Sequence, residues 1–280
     1  MLTAQQIGEA VRELIPRAAC TLRPDVARAL SDAATRERSE RGRAVLEQLV
    51  ANACLAEQES VPVCQDTGTV WVRIELGSEE GLTGNVQTEV NAAVAAAFGD
   101  AGLRMSLVRD ALLDRGNTGD NTPAFVDVVW RPGTGATVSV MLKGGGSDNA
   151  SRIEMLAPDA GFQGVKRLVV ETVKAKATGA CPPLLIGVGV GGTFDKVGGL
   201  AKRALLREIG SVPKDDRVAG FESELLEAVN ALGIGPAGLG GDTTALAVHL
   251  VTYPCHIAAL PVAVNMGCCA VRSASAEVGR

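Results

Sequence analysis

The chain has 280 residues, a formal charge of −5, 46% hydrophobic residues and only 3% aromatic ones. Without Lys/Arg clusters or many rings for base stacking, it lacks the footprint of a nucleic-acid-binding protein. No apolar run approaches the roughly 20 residues that span a bilayer and the N-terminus has no signal-peptide pattern, so no membrane segment and a cytoplasmic location are expected.

The first sixty residues read as helices. Ile7, Val11, Leu14 and Ile15 repeat with helical spacing, as do Val45, Leu46, Leu49, Val50 and Ala53. Between them the charged stretch Arg36 to Arg43 reads as a solvated helix face or turn. At Val70 the period becomes two: Val70, Val72, Ile74 and Leu76 alternate with Trp71, Arg73 and Glu75, as in a half-buried strand. A helix follows over 86–98, then strands over 125–130 and 137–142 on either side of Arg131-Pro132-Gly133. Helices over 165–176, 201–209 and 221–232 and strands over 184–190, 244–252 and 257–265 complete the series. There is no fixed-period repeat or long linker, so the expectation is one mixed α/β (α+β) domain over 1–280, with a helical N-terminus before mixed sheets flanked by helices.

Seven cysteines, an odd number, argue against a disulfide framework, and two histidines cannot make a three-histidine metal site. Soft metal ligation would have to come from sulfur. Cys64 (Val-Pro-Val-Cys-Gln-Asp-Thr-Gly), Cys181 (Gly-Ala-Cys-Pro-Pro) and Cys268 (Val-Asn-Met-Gly-Cys-Cys) lie where the chain turns between elements, whereas Cys54 and Cys20 read as structural thiols. No C-x-x-C occurs, so spacing alone establishes no metal site.

Asp66 and His256 are potential proton-transfer groups if one pocket gathers them, and His256 is otherwise a hydrogen-bonded structural residue. Arg104 could clamp a carboxylate with its two-pronged guanidinium, or be a surface arginine. Lys143 before Gly144-Gly145-Gly146, and Asn117 to Asn121, are polar groups of the kind that surround anion pockets. Gly187-Val-Gly189-Val-Gly191-Gly192 satisfies a dinucleotide-binding pattern, but it comes late in the chain and no strand with an acidic residue follows it.

Cys64-Gln-Asp-Thr-Gly68, Arg115-Gly-Asn-Thr-Gly-Asp-Asn-Thr-Pro-Ala124, Lys143-Gly-Gly-Gly-Ser147, Cys181-Pro-Pro183, Gly189-Val-Gly-Gly-Thr-Phe194 and Val262-Ala-Val-Asn-Met-Gly-Cys268 resemble the class I, iron-sulfur-dependent fumarate hydratases and the alpha subunit of L(+)-tartrate dehydratase. The resemblance runs in order from Cys64 to Arg272. It implies a [4Fe-4S] cluster on Cys64, Cys181 and Cys268 with one iron lacking a protein ligand, which would act as a Lewis acid. It also implies a substrate pocket containing Gln65, Arg104 and Gly145, with Asp66 and His256 handling protons or water. The glycine turn at 187–192 becomes scaffold on this reading. Gly267 and Cys269 depart from the family pattern, so Cys269 competes with Cys268 as third ligand.

Single-chain members carry a further C-terminal domain with additional site residues, so this chain resembles an alpha subunit completed by a beta subunit, in an α2β2 assembly. The implied activity is hydro-lyase action on a small dicarboxylate, fumarate/(S)-malate first and L(+)-tartrate second. A non-catalytic iron-sulfur scaffold or sensor, or a dinucleotide-binding protein, is the alternative from another class.

Overall fold

A computed structural model describes residues 1–279. In chain order the elements are β1 (Leu2–Thr3), α1 (Ala4–Cys20), α2 (Pro24–Arg36), α3 (Glu40–Glu59), β2 (Thr69–Gly77), β3 (Leu82–Thr83), α4 (Val86–Asp100), β4 (Phe125–Arg131), β5 (Ala136–Lys143), α5 (Gly145–Asn149), β6 (Arg152–Leu156), α6 (Gly161–Lys176), β7 (Leu184–Gly192), α7 (Phe194–Ala204), α8 (Asp216–Asn230), β8 (Ala245–Cys255), β9 (Leu260–Gly267) and β10 (Arg272–Val278). Short 3-10 turns occupy Pro158–Ala160, Ala177–Ala180 and Pro236–Gly238. The fold is mixed α/β, and the chain divides into two compact units. The first comprises Met1–Arg23, Ala53–Gly145 and the segment from Arg272 onward; the second comprises Pro24–Asn52 and Gly146–Val271.

In the first unit the sheet order is β10-β5-β2-β4, antiparallel except for the parallel pair β2 and β4. Helix α1 starts in a capping box between Thr3 and Gln6, and α4 starts where the Asn85 side chain accepts from the Thr88 N–H. Ile7, Val11, Leu14 and Ile15 of α1 and Val90, Val94 and Phe98 of α4 join Val70, Val72, Ile74 and Leu76 of β2 and Val138, Val140 and Leu142 of β5 in one buried core. Helical and strand periodicities therefore meet as the sequence predicts. Strand β2 departs from the half-buried pattern, because Trp71 and Arg73 are buried as well. Their polar atoms find acceptors: the Trp71 indole N–H donates to Asp127 (2.8 Å) and Arg73 to Glu75 (3.0 Å).

The second unit has the sheet β6-β9-β7-β8, in which β7 and β8 run parallel and β9 is antiparallel to β6 and β7. Val165, Leu168, Val169 and Val173 of α6 and Phe221, Leu225 and Val229 of α8 pack with Leu184, Ile186, Val188, Val262, Val264 and Met266. On the other face α7 lies directly on β7. A Cβ at Gly187 would sit 2.1 Å from the Ala201 carbonyl oxygen, and one at Gly189 2.5 Å from that of Val197. These two glycines thus serve helix-on-strand packing, which accounts for the dinucleotide-like pattern without a ligand.

Two expectations are corrected, and three elements lie outside the expected series. The helix expected over 201–209 is α7 at Phe194–Ala204, entered from the extended Thr193; Gly198-Gly199 interrupts the apolar pattern of its first half, and Leu205 and Leu206 follow in tight turns onto Lys202 and Arg203. Elements α5 and β10 carry mostly small residues and give no periodic signal, whereas β6 alternates Arg152 and Glu154 with Ile153 and Met155 over only five residues. The stretch Arg36 to Arg43 is not all solvated: Glu37 is 1% exposed. Its carboxylate accepts the backbone N–H groups of Ser39, Asp242 and Thr243, fastening the turn after α2 to the loop before β8. Burial alone would raise its pKa, but these N–H groups hold it below the ordinary value of 4.5.

Candidate active site

In the first unit the loop between α3 and β2 carries Cys64, Gln65 and Asp66. Its start is tied to the end of α1 by the Val63 N–H donating to the Ala19 carbonyl (3.0 Å). Asp66 lies at the centre of a dense set of contacts. Oδ2 accepts the Gly145 N–H at 2.8 Å, Oδ1 accepts the Gly68 N–H at 3.1 Å, and the Arg104 guanidinium stands 3.3 Å from Oδ1. Arg104 is itself held through its backbone, since Thr67 Oγ1 donates to its carbonyl at 2.5 Å, while its side chain is 57% exposed. The first unit thus brings Asp66, Arg104 and Gly145 together, with Gln65 alongside and the Cys64 thiol 3.5 Å from Gln65 Oε1.

Four further residues, Gly68, Gly144, Arg272 and Asn121, shape this arrangement. Gly68 has φ +78°, and a Cβ there would lie 2.5 Å from the Lys143 carbonyl oxygen, so only glycine fits. At Gly144 a Cβ would lie 3.1 Å from Asp66 Oδ2 and 3.3 Å from Arg272 Nη2. Arg272, 2% exposed, donates from Nη1 to the Asp66 carbonyl, and its Nε has no hydrogen-bond partner. Asn121, fully buried, clamps two loops: Oδ1 accepts from Ser106 N–H (2.7 Å) and Leu107 N–H (3.2 Å), and Nδ2 donates to the Gly68 carbonyl (3.1 Å). The cluster of polar residues at 117–121 signals Asn121 in the sequence. Nothing flags Arg272, which stands in a strand with no apolar period.

In the second unit Cys181 ends the turn Ala177–Ala180 in a left-handed conformation (φ 55°, ψ 72°) just before β7. The segment after β9 lies against it, with the Cys269 N–H donating to the Cys181 carbonyl at 3.0 Å. Cys181 is exposed and Cys268 and Cys269 are partly so. Two of the expected sulfur ligands therefore meet at one end of this sheet, because β7 leaves that end and the antiparallel β9 returns to it, Leu185 pairing with Gly267.

His256 is not there. It follows β8, whose last residue Cys255 pairs with Gly192 at the far end of β7, and its Nδ1 accepts the Ala258 N–H at 3.1 Å. At about 3.3 Å per residue the eight steps from Leu184 to Gly192 put about 25 Å between His256 and the Cys181/Cys268 end. His249 fills a core position with Nδ1 3.2 Å from the Ala204 carbonyl oxygen. No disulfide joins any of the seven cysteines, and among the described residues no three His, Cys, Asp or Glu side chains form a group that could hold a metal ion. No helix of the described residues is long and apolar enough to cross a membrane.

The sequence profile of the family described as Fumarate hydratase (Fumerase) matches residues 8–277. The chain belongs to this fumarate hydratase family. A putative L(+)-tartrate dehydratase subunit alpha from Methanocaldococcus jannaschii is 38% identical over 275 residues, covering 96% of each chain. The L(+)-tartrate dehydratase subunit alpha of Escherichia coli (strain K12) is 34% identical over 252 residues, 89% of this chain and 82% of its own. The family name and the relatives' names both denote hydro-lyases, enzymes that add or remove water, and the chain is an enzyme of that class. In this chain Asp66, Arg104 and Gly145 are gathered; the cysteine pair and His256 stand at opposite ends of the second unit's sheet.

Proposed function

We propose that this chain is the cluster-binding alpha subunit of a hydro-lyase for a small dicarboxylate, with fumarate/(S)-malate as first substrate. L(+)-tartrate is the second reading, favoured by the names of the relatives at 34–38% identity. The observation that carries the proposal is Asp66: a carboxylate fixed by two backbone N–H groups and faced by a largely free guanidinium, two residues from Cys64.

Cys64, Cys181 and Cys268 would hold a [4Fe-4S] cluster. Cysteine sulfur is the donor type that iron-sulfur clusters take, and the hydrogen bond between the Cys181 and Cys269 backbones, which sets two of the cysteine-bearing loops side by side, supports this reading. When bound, a cluster with one iron lacking a protein ligand supplies a Lewis acid for the leaving hydroxyl. The chain's own residues do the rest. Arg104 keeps donors free beyond Asp66 to pair a substrate carboxylate, and Gln65, next to Asp66 in the chain, offers an amide. Asp66 Oδ2, which accepts one N–H, keeps a lone pair to take a proton, while its fixed orientation removes the entropy of finding the reacting atom. Gly145 contributes through the N–H that aims Asp66 and through the absence of a side chain next to it.

A beta subunit completes the substrate pocket in this reading, in an α2β2 assembly, with the whole span 1–280 acting as the cluster-binding part. Seven cysteines without a disulfide suit the reducing cytoplasm. Production of the chain with its beta subunit, anaerobic loading with iron and sulfide, and assays of fumarate hydration and L(+)-tartrate dehydration test the proposal. Turnover of either substrate, reduced about 100-fold or more by Asp66→Asn, supports it. A fully loaded but inactive complex would leave a scaffold or sensor role.

A further inference from the structure

A guanidinium cannot give up its charge, so an enclosed arginine ordinarily spreads its five N–H groups over several acceptors or pairs with a carboxylate. Arg272 does neither. It is 2% exposed, Nη1 donates to the Asp66 carbonyl, Nε has no partner, and among the described residues no carboxylate forms an ion pair with it. A cation held at that cost points to a use for the charge itself.

The neighbouring charge of opposite sign is Asp66. A Cβ built on Gly144 would lie 3.1 Å from Asp66 Oδ2 and 3.3 Å from Arg272 Nη2, so carboxylate and guanidinium border one space that glycine leaves open. The sheet of the first unit sets this placement. Arg272 opens β10 opposite Leu142 of β5, and β5 runs on into Gly144 and Gly145, whose N–H holds Asp66 Oδ2 at 2.8 Å. Beside it Ser273 accepts from Arg23 at 3.2 Å, which pins the start of the strand.

Two arginines therefore face one carboxylate with different freedom. The Arg104 side chain, 3.3 Å from Oδ1, is 57% exposed and can turn to a substrate, whereas Arg272 is enclosed and cannot.

We propose that Arg272 is a positioning residue for Asp66, a fixed positive charge that holds the carboxylate in its reacting orientation while Arg104 pairs the substrate. The proposal rests on the hydro-lyase reading above and divides the work of that site between two guanidinium groups. Arg272 acts through Asp66 and does not touch substrate.

Arg272→Lys and Arg272→Gln, each in the full complex with the beta subunit, provide the test. Both replacements carry an N–H donor for the Asp66 carbonyl, and only lysine keeps the charge. Arg272→Gln should lower kcat about 10-fold to 100-fold with KM changed by less than about 2-fold, and Arg272→Lys should keep about 10-fold more activity than Arg272→Gln. Iron content after loading and the circular dichroism spectrum should match the wild-type complex in both, which separates positioning from a collapsed loop. Equal rates for the two variants would show that the charge is not what serves Asp66. A rise in KM larger than the fall in kcat would make Arg272 a substrate ligand. Either result overturns the proposal and leaves the hydro-lyase reading standing, whereas an inactive wild-type complex overturns that reading itself.

Should both Arg272 variants lose the fold or the iron, Gly144→Ala decides, because it keeps Arg272 and Asp66 and sets a methyl group against both. A kcat lowered about 10-fold at unchanged KM supports the proposal, and a wild-type kcat overturns it.

Discussion

Replacing Gly68 with alanine perturbs Asp66 without touching a charged or sulfur-bearing group. The new methyl carbon would start 2.5 Å from the Lys143 carbonyl oxygen and 2.6 Å from its carbon, closer than the 3.0 Å limit of real Cβ contacts. The loop must therefore retreat by at least about 0.5 Å, and alanine at φ +78° costs a further 1–2 kcal/mol or so. Retreat pulls the Gly68 N–H from Asp66 Oδ1 and the Gly68 carbonyl from Asn121. Since misplacement of about 1 Å can cost on the order of 100-fold in rate, a half-ångström shift of Asp66 should lower kcat/KM by about 10-fold to 100-fold. Stability should fall by about 1–3 kcal/mol, within what a folded domain tolerates. Steady-state kinetics on the complex with its beta subunit, together with urea unfolding of the variant, give both numbers. A folded Gly68→Ala enzyme with wild-type kcat/KM would show that the Gly68 turn does not set the position of Asp66.

Glu37→Gln replaces a buried carboxylate that accepts backbone N–H groups with an amide that presents one oxygen to them, so the unfolding free energy at pH 7 should drop by about 2–4 kcal/mol. Because the folded pKa lies below 4.5, the wild-type advantage is complete above the unfolded value and fades as pH falls through the folded one; urea midpoints for the two proteins should therefore converge in acid. Gly187→Val forces a side chain into the Ala201 carbonyl and should prevent soluble expression or cost more than about 3 kcal/mol, whereas Gly199→Ala, with open space around it, should be neutral or stabilising by up to about 1 kcal/mol. Cys268→Ser should abolish the visible absorbance of the loaded cluster, and Cys269→Ser should retain it; the reverse pattern would reassign the third ligand. Arg104→Met should raise KM for the dicarboxylate more than it lowers kcat, as read in initial rates across substrate concentration.

Much of this was legible in the sequence where a single physical rule governs a long segment. The period of Ile7 to Ile15 finds its place as one buried helix face, and the alternation from Val70 to Leu76 finds its place because those four residues enter the same core. Element β10 was not legible: its Ser and Ala residues hold their place through pairing with β5, a long-range contact that no local pattern announces. Glu37 misleads for a related reason, since two of the three N–H groups that keep its charge, those of Asp242 and Thr243, lie 205 and 206 residues away. In the candidate site, Asp66 and Arg104 were singled out from their motifs and are adjacent. Arg272 was missed, because its contact with the Asp66 carbonyl depends on the register of β10. The distance of His256 from the cysteine pair likewise follows from strand direction, which no motif encodes.

The central claim is that Cys64, Cys181 and Cys268 hold a [4Fe-4S] cluster on which hydro-lyase activity depends. Anaerobic reconstitution followed by iron and sulfide determination tests it most directly. The account predicts about four irons and four sulfides per alpha chain, lost on replacing any of the three cysteines with alanine. A chain that binds no iron, or binds it equally without these cysteines, would contradict it.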